Sequence, residues 1–381
     1  VAEAQQRLGR SLGVTLTGAT NAERAAQLRT LLAGRRLLLV LDNVWDDPEL
    51  PHLRVVGPDS RLVATSRAYP VAARLQLPLL EVGRLAEAEA GHLLAGWLGA
   101  GEYGWLNQRL GGHPLALTLI AALVQSGQLH LNDLPAWLAP GQTELDPADT
   151  LNRCFDLSHE RLSPDDQLRL TELSCFTAHF DLAGAAAIWG LPQRVTQATL
   201  ARLRGQALVE RTGPAFRLHD LVRDYARNKL AAQPAVDTAA HRRHAVYFIR
   251  HYLYHPGVLD DDQATAPSLD EVWPEVVAGV RWAAQHEPRL AAIAVVLAHT
   301  ERPALLAAIG EPLLAAVKAY AVTTTEVAER AVLTELIGQL SLLSGHLAQG
   351  QASLEQVARQ WENAQEWLTA ARGWAAVAAV H

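Results

Sequence analysis

The sequence predicts a chain that is α/β at its start and almost wholly helical afterwards. Three observations carry that reading. The apolar run Leu37-Leu38-Leu39-Val40-Leu41 ends in Asp42, and a second, Arg61-Leu62-Val63-Ala64, ends in Thr65-Ser66-Arg67. From about Leu80 onward apolar residues recur at helical spacing, with one hairpin pattern among them. Short runs that are apolar at every position suit strands buried on both faces of a parallel sheet. In such sheets ligands bind at the carboxyl ends of the strands, where Asp42 and Arg67 stand.

Ahead of the first strand, residues 1–34 read as two helical stretches. In the second, Ala25, Ala26, Leu28, Leu31 and Leu32 share a helical spacing. Asn21 is its expected N-cap, with an incomplete capping box because Arg24 stands three residues later. Gly34 is the expected stop. Gly57-Pro58-Asp59-Ser60 is a turn between the strands. Residues 110–117 place a two-glycine turn before a helix with Pro114 in its first turn, and Asp146-Pro147-Ala148-Asp149 opens another helix. Residues 208–211, a turn over 212–215 and residues 216–218 read as a hairpin. His219 follows, where a histidine can cap the hairpin-to-helix junction, then Asp220 as the expected N-cap of the next helix. Helices with one terminal hairpin are the pattern of a winged-helix domain.

Residues 255–267 read as a polar, acidic connector, and the chain beyond is helical. Residues 334–371 suit one helical hairpin broken near Gly350, loosely of tetratricopeptide type. Trp361, Trp367 and Trp374 fall near helical turns and read as core residues, with a ligand groove as the sharper alternative. The expected domains are residues 1–80, a partial α/β domain; 81–145, a small helical domain; 146–234, a winged helix; and 235–381, an α-helical array.

The length suits several domains of roughly 100–200 residues each. Lys and Arg number 33 against 40 Asp and Glu, a net charge of −7. That balance argues against coating nucleic acid by bulk electrostatics, though a local basic face stays open. Arg194, Arg202, Arg204, Arg211 and Arg217 make one such face, with Glu210 among them. Hydrophobic residues at 49% fit a globular chain. The two cysteines, Cys154 and Cys175, cannot build a disulfide framework, and no C-x-x-C spacing offers a metal site. A reduced, cytoplasmic setting is expected, with no membrane span and no signal peptide.

An apolar strand that delivers a carboxylate to its C-terminal end is how P-loop ATPases hold magnesium, usually through water. LLLVLDNVWD, residues 37–46, resembles the Walker B strand of the NB-ARC class of signal-transduction ATPases, which includes many bacterial regulators. Four more blocks resemble that class in order. SRLVATSR (60–67) is similar to the sensor strand, and LGGHPLAL (110–117) to the GxP block. CFDLSHERLSPDDQ (154–167) is similar to the opening of the winged helix. FRLHDLVRDYA (216–226) is similar to the MHD motif, with Leu218 in place of methionine. Residues 269–285 resemble the segment that leads into helical sensor repeats.

The resemblance implies a partial P-loop NTPase-type α/β domain, then a helical domain, a winged helix and an α-helical sensor array. It implies that Asp42 holds Mg2+ and serves catalysis. Thr65 and Arg67 stand near the terminal phosphate, for which a guanidinium fork is suited. Gly112 and Pro114 meet the adenine, and His219 meets the β-phosphate of ADP. Asn43 replaces the acid that usually activates water and cannot act as a base, so slow hydrolysis with retained binding is expected. No G-x-x-x-x-G-K-[ST] loop occurs in these 381 residues. That loop is expected upstream of Val1 or in a segment missing from the chain.

The implied function is an ADP/ATP switch with Mg2+. ADP, sandwiched between the α/β domain and the winged helix, keeps the chain closed. A signal molecule or protein at the C-terminal helices releases it, and the open form self-associates. Two other functions remain open: a DNA-binding regulator that uses the winged helix, and a scaffold that binds only protein.

Overall fold

The computed structural model describes residues 1–14, 16–134, 147–253, 268–298 and 302–363. The connector at 255–267, the side chain of Trp361, and Trp367 and Trp374 lie outside the described residues. Two compact units emerge. One comprises Val1–Glu81, Gly257–Trp273 and Ala283–His381; the other comprises Val82–Pro256 and Pro274–Trp282.

The first unit opens with α1 (Ala2–Ser11) and α2 (Asn21–Leu32), then β1 (Leu38–Leu41), β2 (Arg61–Ala64) and α3 (Pro70–Leu75). The N-cap of α2 is Thr20, one residue before the expected Asn21. Thr20 has the acid that Asn21 lacks: its side chain accepts from the Glu23 N–H, and Glu23 accepts in return from the N–H groups of Thr20 and Ala19. The capping box is therefore complete, which satisfies donors at the helix start that nothing within the helix can reach.

β1 and β2 pair in parallel, Leu38 opposite Arg61 through Leu41 opposite Ala64. The expectation of burial on both faces is corrected. Side chains alternate across a strand, and Leu37, Leu39 and Leu41 pack on clusters built from α2, α3 and the loops around them. On the other face Leu38, Val40 and Val63 are exposed by 61%, 54% and 47%. Among the described residues nothing covers that second face, although parallel sheets are ordinarily covered on both.

The second unit runs through α4 (Glu87–Leu98), α5 (Gly104–Arg109), α6 (Pro114–Gln125), α7 (Pro147–Glu160), α8 (Pro164–Glu172) and β3 (His179–Phe180). It continues with α9 (Leu182–Trp189), α10 (Gln193–Gly205), β4 (Glu210–Thr212), β5 (Ala215–Arg217), α11 (Asp220–Ala231) and α12 (Pro234–Phe248). α6 is apolar on nearly every face and is buried from Leu115 to Leu123 except at Thr118. A helix hydrophobic all round belongs in the middle of a core, and α6 packs on α4 and α7. The hairpin β4–β5 closes through Gly213 and Pro214, with Gly213 at a φ of 62°. Glycine at the first loop position supplies the positive φ that a tight hairpin needs. β3 adds antiparallel to β5, giving the order β3-β5-β4. Phe176, Phe180 and Phe216 stack beneath this small sheet. Cys154 and Cys175 are free and buried, and burial pushes the Cys154 thiol up to about 12.

Helix α13 (Leu269–His286) starts at a Ser268–Glu271 capping box and carries Pro274 inside it. Then come α14 (Pro288–Leu297), α15 (Arg302–Ile309), α16 (Glu311–Thr323), α17 (Val327–Leu343) and α18 (Leu347–Asn363). The break between α17 and α18 is at 344–346, not at Gly350. Gly345 takes a φ of 82°, and the His346 N–H returns to the Ser341 carbonyl at 2.8 Å. That closure ends a helix with glycine in the left-handed region. Gly350 instead lies within α18 against Gly338, where a Cβ on either would press the other's carbonyl.

Among the described residues no single helix is long and apolar enough to cross a membrane. α15 and α16 pass that test only as a pair bent by 109°.

Candidate functional site

The expected site residues fall in both units, so each half stands by itself. In the first unit the parallel ladder sets the ends of β1 and β2 side by side. The Thr65 hydroxyl donates to Asp42 Oδ1 at 2.5 Å and accepts from the Asn43 N–H at 2.8 Å. The Val44 N–H continues the ladder to the Thr65 carbonyl at 2.8 Å. Asp42 is therefore oriented by one oxygen and presents the rest of its carboxylate to solvent. Asn43 has a φ of 53°. Asn and Asp are the non-glycine residues that best tolerate that region, so backbone geometry as well as chemistry bears on this position.

The Arg67 guanidinium lies 5.6 Å from the Trp45 ring centroid, a cation–π distance. Trp45 is 64% exposed. Asp46, at the end of the same motif, is ion-paired with Arg74. A cavity of about 660 Å³ opens beside Asp42, lined also by Arg7, Leu39, Trp45 and Asp47. That volume suits a nucleotide-sized ligand. Among the described residues no group of three or more His, Cys, Asp or Glu is placed to hold a metal by protein ligands alone. A single oriented carboxylate oxygen fits Mg2+, which keeps most of its waters.

In the second unit Gly111 and Gly112 take φ values of 61° and 65° and turn the chain into α6, with His113 as N-cap and exposed Pro114 at its first position. The Gly112 carbonyl accepts from the Leu85 N–H at 3.0 Å, and the Gly111 carbonyl from Arg84 at 3.0 Å. A Cβ at Gly112 would lie 2.7 Å from the Leu85 carbonyl oxygen. Gly112→Ala is therefore expected to cost about 1–3 kcal/mol through its left-handed φ alone. Its thermal melt should fall well below that of Gly127→Ala, a glycine of like φ with open space around it.

His219 is the N-cap of α11. Its Nδ1 accepts from the Leu221 N–H at 3.3 Å. This corrects the expectation that Asp220 caps: Asp220 is the first helical residue and is ion-paired with Arg223 at 2.7 Å. With Nδ1 engaged as acceptor, a neutral ring carries its proton on Nε2, the nitrogen then able to donate outward. His113 sits close enough to His219 and Arg84 to feel their charge. Burial first, then the nearby His219 and Arg84, hold it below the ordinary histidine value. His113, at the turn before Pro114, is thus within electrostatic reach of the His219 cap. His113 and Arg84 were not foreseen; the one signal was a histidine immediately before Pro114.

The arginine face is largely spent on internal pairing. Arg202 is bidentate to the buried Asp166 at 2.8 Å on both arms, Arg217 pairs with Glu210, and Arg211 donates to the Gly213 carbonyl.

Residues 2–96 match the model of the NB-ARC domain. The match takes in the first two of the five blocks, residues 37–46 and 60–67, and shows likeness to that domain over this stretch. The chain is 31% identical over 220 residues to the regulatory protein AfsR of Streptomyces griseus, covering 54% of this chain and 22% of the relative. The AfsR of Streptomyces coelicolor is 28% identical over 219 residues, with the same coverage. The chain thus spans about a fifth of the length of these curated relatives. The crystal structure of a STAND protein with a tetratricopeptide-repeat sensor from Pyrococcus horikoshii superposes with a TM-score of 0.59 at 14% identity, covering all of this chain and 55% of that one. That likeness shows the fold alone: a start with a parallel strand pair followed by a mostly helical array.

Proposed function

We propose that the chain is the core of an ADP/ATP switch in a signalling regulator. It comprises a partial nucleotide-binding domain, a small helical domain to about residue 145, a winged helix to about residue 234, and a helical sensor array. The observation that carries the reading is the strand-end pair of Asp42 and Thr65 beside a nucleotide-sized cavity. Asp42 would hold Mg2+ through water, and Mg2+ would supply charge neutralisation at the phosphates. Arg67 would read the terminal phosphate from its place over Trp45. Pro114 would offer a rigid apolar face to the adenine, and His219 Nε2–H would donate to the β-phosphate of ADP. Asn43 has no basic atom for water activation, so hydrolysis would be slow and the nucleotide state long-lived.

Different affinities of two states for ADP and ATP are what a switch requires. ADP would favour the closed state, and a signal molecule or protein at the C-terminal helices would favour exchange and self-association. The phosphate-binding loop would come from sequence outside these 381 residues. Calorimetry on the full-length protein tests the proposal: ADP should bind with Mg2+-dependent affinity, and heat-free titrations with both nucleotides would leave the protein-binding scaffold as the better reading.

DNA binding through the winged helix is the weaker alternative, because Arg202 and Arg217 are already paired. Arg194 and Arg204, both exposed, are the residues through which a gel shift should test it.

A further inference from the structure

Glu275 is a carboxylate with 1% of its surface exposed, one residue after Pro274 in α13. Its Oε1 accepts from the Thr177 N–H at 2.8 Å, the Thr177 hydroxyl at 2.7 Å and the Ala178 N–H at 2.8 Å. Its Oε2 lies 2.9 Å from Nε2 of the buried His244 on α12. A buried carboxylate is costly unless its lone pairs are met, and packing alone would be served by leucine. So dense a set of donors on a helix that reads as amphipathic calls for another role.

The partners of Glu275 point onward. The Thr177 carbonyl accepts from Arg223 Nη1 at 2.9 Å, and Arg223 Nη2 donates to Asp220 Oδ1 at 2.7 Å. Arg223 Nε is buried without a partner, so the guanidinium is held by its two engaged arms and not by full satisfaction. Asp220 follows His219, whose ring caps the same helix start. A continuous line of hydrogen bonds runs His244–Glu275–Thr177–Arg223–Asp220, wholly within the second unit. It ends at Asp220, next in sequence to the histidine proposed to hold the nucleotide, and it passes through Glu275 on α13, the helix that continues in sequence into the C-terminal helices.

We propose that Glu275 is a positioning residue that couples α13 to the helix start carrying His219, so that displacing α13 loosens His219 and speeds release of a nucleoside diphosphate. The coupling rests on the hydrogen bonds alone, and the nucleotide consequence rests on the switch reading above. Hydrogen bonds arranged in series make the effects of their members non-additive.

Amide hydrogen exchange of this chain, with no nucleotide present, tests the coupling. The reporter is the Leu221 N–H, which the His219 ring protects. Glu275→Gln preserves shape and should speed exchange at Leu221 roughly 2- to 30-fold. Arg223→Lys should do the same, and the double variant should be no faster than the faster single. The amides of Leu119 and Ile120 in α6 should stay unchanged. Thr177→Val removes one donor only and should give a smaller acceleration at the same place, which keeps the test open if Glu275→Gln does not fold.

Additive effects of Glu275→Gln and Arg223→Lys, or acceleration spread equally through α6, would overturn the relay. In the full-length protein the off-rate of a fluorescent ADP should rise in Glu275→Gln by the factor seen at Leu221. An unchanged off-rate alongside faster Leu221 exchange would overturn the role in release. Absence of ADP binding by the unaltered protein would instead sink the switch reading, with the relay judged on exchange alone.

Discussion

Asp42→Ala is expected to weaken Mg2+-dependent nucleotide binding by the full-length protein roughly 10- to 150-fold, the worth of one charge-assisted contact of about 1.5–3 kcal/mol. Binding measured with Mg2+ chelated should change little, because the loss is of a metal ligand and not of a base or sugar contact. Asp42→Asn separates two effects. It keeps an oxygen for the Thr65 hydroxyl, and so the tie between the ends of β1 and β2, but removes the charge that a hard cation prefers. If Asp42→Asn binds the Mg2+–nucleotide complex as well as the unaltered protein, Asp42 is no metal carboxylate. Thr65→Val is the complement: the charge is retained while its orientation is lost, and an intermediate loss is expected.

Arg202→Ala is expected to destabilise the second unit by about 2 kcal/mol at neutral pH. Asp166 is buried, and Arg202 meets it with two 2.8 Å bonds. Removing the guanidinium leaves the carboxylate facing Arg169, at 3.7 Å. Stranding a fully buried charge costs more, but Arg202 is itself half-exposed and screened by solvent, which lowers the figure.

The pH dependence has a definite sign. The Arg202 hydrogen bond, acting against burial, holds the Asp166 carboxyl below the usual carboxylate range. A depressed folded-state value contributes stability that is fully present above the unfolded value of about 3.9 and is lost as pH falls through the folded one. The gap in melting temperature between the unaltered protein and Arg202→Ala should therefore be widest at neutral pH and should narrow below about pH 4. A gap that is constant across that range would mean Arg202 contributes packing and not charge. The same pairing makes Arg202 a poor probe of DNA binding, since its removal perturbs the fold that would present the other arginines.

The strand bounds, the parallel pairing and the hairpin were legible because each depends on a local pattern: apolar runs ending in polar residues, and glycine where a turn needs positive φ. What failed were statements about neighbours. Leu38 and Val40 are as apolar as Leu39 and Leu41, and nothing in their identity says which face other elements will cover. Thr20 and Asn21 are both good caps, and the choice fell to Glu23, which is spaced for one and not the other. Gly345 and Gly350 are alike in sequence, and only the crossing with Gly338 shows that the second is a contact and not a break. At the site, Asp42 and Thr65 could be read from strand ends. His113 owes its lowered value first to burial, a property of the fold and not of its neighbours in sequence. Glu275 could not be read at all, because in Asp270-Glu271-Val272-Trp273-Pro274-Glu275 an acid among acids looks like a solvated helix face.

The left-handed backbone at Asn43 has a bearing on which residues that position tolerates. Asparagine and aspartate are the two side chains other than glycine most at home there, so an exchange between them is expected to leave the strand end undisturbed while adding or removing a carboxylate beside Asp42. Under the switch proposed above, that one exchange would shorten the lifetime of the nucleotide state without any redesign of the fold around it.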